Sequence, residues 1–252
     1  MTDIYAKVEE IKRSGENAAL CIITATTGST PRKAGSKMIV SQNGKIHGTV
    51  GGGSVERKII ALAQEVCMQA KPKFVSLDLE EDAEMHCGGT VDVYLEPIKP
   101  SQKVVILGVG HVGTALANFA QQLGFALTLI DPREEFLKEF EDKGFEIILD
   151  DYLPAAKNYP SDENTYFAIL TPKHEFDREL TAICAKKPHR YLGMIGSKQK
   201  VALVKKHFLE QGILTKSEIE KIDMPIGIKF NAQTPEEIAL SIVAKLVDAR
   251  NA

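Results

Sequence analysis

Three stretches in the first hundred residues set reactive or charged groups beside bare backbone. In TVGGGSVERKII, residues 49–60, Gly51, Gly52 and Gly53 stand directly before a helical pattern. Unencumbered amides at a helix start attract an anion, because the helix dipole adds to free N–H donors. The same triplet also suits a sharp strand-to-helix bend that needs positive φ, and the sequence leaves both readings open. Arg32, in TTGSTPRKAGSKM, offers a planar donor fork for a phosphate or a ring carbonyl, or is simply a solvated surface residue. Cys87, in MHCGGTVDVYLEP, lies next to Gly88 and Gly89, and a protonated His86 beside it would lower its thiol pKa. A thiolate there is a ligand for a soft metal and an acceptor of sulfur, although a lone cysteine in a glycine turn is commonly inert.

A fourth stretch, KVVILGVGHVGTALANFAQQLGFALTLIDPRE, holds Gly108, Gly110 and Gly113 as G-x-G-x-x-G between a strand and a helix, with Asp131 ending the next strand. In that context the first glycine permits a tight bend, the second lets a pyrophosphate approach, and the third lets helix and strand pack closely. Asp131 is expected to accept from an adenosine ribose, favouring NAD, while Arg133 keeps a 2′-phosphate open. His111, inside the loop, faces a ligand phosphate or fills space. Gly196 and Ser197 head another helix in GMIGSKQK, with Lys198 and Lys200 behind them. That is an anion-facing edge or an ordinary turn with a capping serine. His174 follows a strand and, with Asp177, forms a conceivable acid/base pair at the sheet's carboxyl edge.

These groups need elements to hold them. Ile4, Val8 and Ile11 mark a helix ending near Gly15; AALCIITAT reads as a buried strand; SKMIVSQ and KIHGTV flank Asn43-Gly44, which suits a type I′ hairpin turn. A helix with Val55, Ile59, Leu62 and Val66 on one face and two further strands, FVSLDL and VDVYLEPI, complete a mixed α/β half. PIKPSQ reads as a connection, placing one domain at residues 1–98 and a second at 99–252. Beyond it strands and helices alternate: KVVIL, a helix from Val112, ALTLI, a helix in EEFLKEFEDK, FEIIL, YFAIL, a helix from Glu175, RYLGMI and a helix from Ser197. The expected fold class is α/β, an N-terminal mixed domain followed by a Rossmann-like doubly wound parallel sheet. Thr234-Pro235-Glu236-Glu237 signals the start of the last helix.

Composition narrows the partners. The 252 residues carry a net charge of −3 with 44% hydrophobic content, so no overall pull toward nucleic acid or an acidic membrane is expected. No signal-peptide core or membrane-length apolar run is present, and the expectation is a cytoplasmic protein. Cys21, Cys67, Cys87 and Cys184 lie far apart, which encodes neither a zinc knuckle nor a disulfide framework. All but Cys87 sit in apolar strand or helix patterns.

Taken together, GSTPRKAGSKMIV, GTVGGGSVE and CGG, then GVGHVG, YLGMIGSKQK and PIGIKFNAQTPEEIALSIVAKLV, closely resemble the XdhC/CoxI family across nearly the whole chain. The resemblance implies an accessory factor for molybdenum hydroxylases such as xanthine dehydrogenase: it would bind the molybdenum cofactor (molybdopterin), protect it during sulfuration and hand it to the apoenzyme. The implied cofactor surface is Gly51 to Gly53, Cys87, Gly88 and Gly89, with Arg32 nearby and Cys87 as metal contact. Partners expected on this basis are an apo molybdenum hydroxylase and a cysteine desulfurase or other sulfur donor, with a homodimer as the common symmetric state. The glycine loop with Asp131 would then be a nucleotide site, NAD(P) being the candidate. A maturation chaperone is expected rather than a turnover enzyme; the competing classes are an NAD(P)-dependent oxidoreductase and a non-catalytic docking module.

Overall fold

A computed structural model describes residues 3–80, 89–172 and 174–252, and the chain divides into two compact units, Met1–Ser101 and Gln102–Ala252. In the first unit the elements run α1 (Ile4–Ser14), β1 (Ala18–Gly28), β2 (Lys37–Ser41), β3 (Ile46–Gly48), α2 (Gly53–Gln69), β4 (Lys73–Asp78) and β5 (Gly89–Ile98). The strands form an antiparallel sheet in the order β3-β2-β1-β5-β4. Successive side chains of β1 point to opposite faces, as strand geometry requires. Ala19, Cys21 and Ile23 therefore pack with Val55, Ile59, Ala63 and Val66 of α2, whereas Ala18 and Leu20 pack with Ile11 of α1.

The β2–β3 hairpin forms where Asn43-Gly44 places it, but the turn is not type I′. Only Gly44 has positive φ, and its N–H donates to the Ser41 carbonyl at 2.8 Å. The Asn43 side chain accepts from Lys45 N at 3.1 Å, so it stabilises the turn without entering the left-handed region itself. The result is the longer loop with one left-handed glycine that hairpins use as their next choice.

The second unit contains β6 (Lys103–Leu107), α3 (His111–Gln122), β7 (Ala126–Ile130), β8 (Glu146–Ile148), α4 (Tyr152–Asn158), β9 (Thr165–Ile169), α5 (His174–Ala185), β10 (Tyr191–Met194), α6 (Lys198–Glu210), α7 (Lys216–Glu220) and α8 (Pro235–Asn251). Its five strands are parallel in the order β10-β9-β6-β7-β8. Val104 and Ile106 face one core with α3 and α8, while Val105 and Leu107 face the other with α4, α5 and α6. This is the doubly wound α/β arrangement, with its topological switch between β6 and β9.

Two local expectations change. EEFLKEFEDK is not an α-helix but two 3₁₀ turns, Glu134–Phe136 and Lys138–Phe140. Leu137 and Phe140, three apart, are its buried residues, and a three-residue period keeps both inward on so short a crossover. The helix α4 has no counterpart in the sequence expectation, because its Pro154 reads as a breaker; it stands in the first turn, where proline costs no hydrogen bond.

Candidate functional site

In the first unit the glycine triplet sits at the head of α2. Gly52 and Gly53 have φ of 91° and 62°, so the backbone itself demands glycine, and nothing lies within 4 Å of a Cβ placed on either. The loop is tied from within: Val50 N donates to Glu56 Oε1 at 3.3 Å and Gly51 N to Thr49 Oγ1 at 3.3 Å. Among the described residues no acceptor pairs with the amides of Gly52 and Gly53. The triplet is therefore a bend that needs positive φ, and the amides of Gly52 and Gly53 stay open within it.

The loop after β1 bridges two parts of this region. A Cβ on Gly51 would lie 3.1 Å from Pro31 Cγ, and one on Gly89 would lie 2.7 Å from the Thr27 carbonyl oxygen and 2.8 Å from that of Ser29. Gly89 is thus glycine because the backbone of β1 passes too close for any side chain. One loop, carrying Pro31 and Arg32, packs on the glycine triplet and continues from the strand end against which Gly89 is pressed. Arg32 is exposed, and no described residue pairs with its guanidinium. Cys87, Gly88 and His86 lie outside the described residues. Burial pushes the Cys21 and Cys184 thiols up to about 12 and also raises Cys67, which leaves these three poor thiolates. No group of three or more His, Cys, Asp or Glu suited to a metal occurs among the described residues.

In the second unit the three loop glycines differ in what demands them. A Cβ on Gly108 would meet the Leu170 carbonyl oxygen at 2.6 Å, and one on Gly113 would collide with the Gly108 carbonyl oxygen. Gly110, the residue before α3, has nothing within 4 Å. His111 is exposed at the first position of α3 and lines a cavity of about 450 Å³ with Asn118, Phe119, Phe136, Glu139 and Pro235.

Asp131 is fully buried and already engaged. It accepts from Val109 N at 2.8 Å, from Arg133 N at 3.0 Å, and from Arg133 Nε and Nη2 at 2.8 Å each. Burial alone would raise its pKa; the hydrogen bonds from Arg133 and Val109 outweigh that and hold it below the usual carboxylate range. The Arg133 guanidinium also stacks 4.1 Å over the Phe136 ring. A ribose contact to Asp131 would therefore compete with Arg133, which the sequence pattern does not reveal.

The lysine-rich helix start is a capped turn. Ser197 Oγ accepts from Lys200 N at 3.2 Å, and Lys200 Nζ turns inward to Asp177 and to the Ile195 carbonyl at 3.1 Å. Lys198 stays exposed. Asp177 also accepts from Thr171 Oγ1 at 2.5 Å, so its carboxylate belongs to a buried Thr171–Asp177–Lys200 cluster. His174 opens α5; its side chain lies outside the described residues. The Lys200 contact has no sign in the sequence, because that lysine comes from a distant helix.

Against known proteins, residues 11–78 match the XdhC and CoxI family and residues 104–246 match the XdhC Rossmann domain. Arg32 and the glycine triplet fall in the first match and the G-x-G-x-x-G loop in the second; Cys87 to Gly89 lie between them. The uncharacterised protein YqeB of Escherichia coli is 28% identical over 99% of this chain, which spans about half, 46%, of YqeB. The molybdenum cofactor insertion chaperone PaoD of E. coli is 22% identical over 96% of this chain and 86% of its own. A solved structure described as a xanthine dehydrogenase from Bacillus halodurans shares the fold, with TM-score 0.53, 21% identity, and coverage of 98% of this chain and 95% of that one. With the parallel sheet and its glycine loop inside the second matched segment, the chain belongs to the XdhC and CoxI family.

Proposed function

We propose that the protein is a molybdenum cofactor chaperone: it holds the cofactor on its first unit, shields it while a sulfur donor such as a cysteine desulfurase installs the terminal sulfur, and delivers it to an apo molybdenum hydroxylase of the xanthine dehydrogenase type. The observation that carries this reading is the packing of one Arg32-bearing loop against both the glycine triplet and, through its strand end, Gly89. Unpaired amides at Gly52 and Gly53 fit the pterin's phosphate, and Arg32 fits a phosphate or a ring carbonyl. Cys87, two residues before Gly89, is the proposed thiolate contact to the metal. When bound, the cofactor supplies the molybdenum centre that the hydroxylase needs; this chain binds, orients and shields it. Kinship to PaoD supports the same reading.

Because positive φ at Gly52 would strain any substituted side chain, Arg32 and Cys87 are the better probes. Arg32→Ala should leave the melting temperature unchanged and lower molybdopterin retention through gel filtration severalfold. Cys87→Ser should weaken retention of the metal-bearing form more than that of metal-free molybdopterin. Wild-type retention by both variants would overturn the proposal.

A further inference from the structure

The nucleotide turn of the second unit presents an arginine where its sequence pattern promises a carboxylate. Asp131 has 0% side-chain exposure, and its four bonds, from Val109 N, Arg133 N, Arg133 Nε and Arg133 Nη2, use about as many acceptor sites as a carboxylate has. A ribose diol could reach it only by expelling the arginine, which would leave that arginine without its charge partner. The side chain of Arg133 is 33% exposed. One edge is pinned by Asp131 and one face by Phe136, so the fork is held rigidly with part of it open to solvent. The hydroxyl of Tyr152, a residue 4% exposed, lies beside both Asp131 and Arg133 and so marks the buried side of the pair.

Gly110 points the same way. Its φ of −69° suits any residue and its Cβ position is open, so neither backbone nor packing requires glycine there. What a side chain would obstruct is the approach of a ligand to the first turn of α3.

We infer that this crevice takes an adenine dinucleotide phosphorylated on the adenosine 2′-hydroxyl, of the NADP(H) class, with Arg133 reading the 2′-phosphate and Asp131 acting as the positioning residue that aims it. The pyrophosphate lies over Gly110 and the 2′-phosphate meets Arg133. Asp131 does not repel the phosphate at full strength, since its charge is shared among four donors. Of the acidic residues that follow, Glu134 is paired with Lys138 at 3.5 Å, while Glu135 remains available to weaken the preference.

The test uses the full chain purified from a host that makes no molybdopterin, so its outcome is independent of cofactor retention by the first unit. Titration with NADPH and NADH should show at least tenfold tighter binding of NADPH. Arg133→Ala should bring NADPH down to the NADH level, and Arg133→Lys should restore part of the preference. Because removing Arg133 leaves a buried carboxylate unpaired and can unfold the unit, the unaltered protein is also challenged with adenosine 2′,5′-bisphosphate and with 5′-AMP. The bisphosphate should displace NADPH at least tenfold more effectively. Equal or tighter binding of NADH, equal competition by the two fragments, tighter NADH binding by Arg133→Ala, or no binding of either dinucleotide would each overturn the inference.

Discussion

Two glycines make the point that one residue type answers different demands. Gly89 is fixed by backbone at and just after the end of β1, 2.7–2.8 Å from where its Cβ would be, so Gly89→Ala should cost about 1–3 kcal/mol and lower the melting temperature of the first unit. Gly110 has open space and an ordinary φ, so Gly110→Ala should cost less than about 1 kcal/mol while weakening dinucleotide binding about tenfold or more. Thermal unfolding and the same titration measure both. Asp131 gives a pH signature. Its folded pKa is depressed relative to an unfolded value of about 3.9, so the unfolded state binds more protons in the window below pH 4. The stability it contributes is present above that window and is lost as pH falls through the folded pKa. In Asp131→Asn that acid-side loss should shrink, seen as a shallower fall in unfolding free energy from pH 5 to pH 3. An unchanged slope would mean that Arg133 does not hold the carboxylate ionised.

At the level of elements, three strand-to-helix turns carry candidate glycines: β3–α2, β6–α3 and β10–α6. Positions β6–α3 and β10–α6 look alike in sequence, each a glycine before a helix, yet they differ in use. The first keeps its turn open at Gly110; the second is closed by Ser197 and by a lysine drawn inward to Asp177. Removing one member of a buried ion pair leaves the other charge uncompensated, so Lys200→Met should destabilise the second unit by about 3–5 kcal/mol. The double variant Lys200→Met with Asp177→Asn should recover much of that loss in denaturant melts; no recovery would show that the pair is not the source.

For the molecule as a whole, two units with separate hydrophobic cores divide the labour proposed for them. Each is long enough to bury a core of its own. Destabilising variants should therefore be read by unit: Lys200→Met should shift the transition reported by probes in the second unit and leave that of the first in place, while Gly89→Ala should do the reverse. A single transition that moves with either variant would show the units to be coupled in unfolding. Among the described residues no helix is long and apolar enough to cross a membrane.

The sequence by itself determined the alternation that builds the parallel sheet, the cap of α8 at Thr234, and the glycine positions, because these depend on local spacing and side-chain chemistry. It did not show α4, whose proline reads as a stop, or the 3₁₀ turns, whose apolar spacing mimics a helix. Nor could it show that Asp131 is spent on Arg133, that Lys200 turns inward, or that Pro31 rests on Gly51 while Gly89 is pressed on the strand end beside it. Those outcomes rest on distances between residues far apart in the chain or on competition for a carboxylate's few acceptor sites, and only the folded chain sets either.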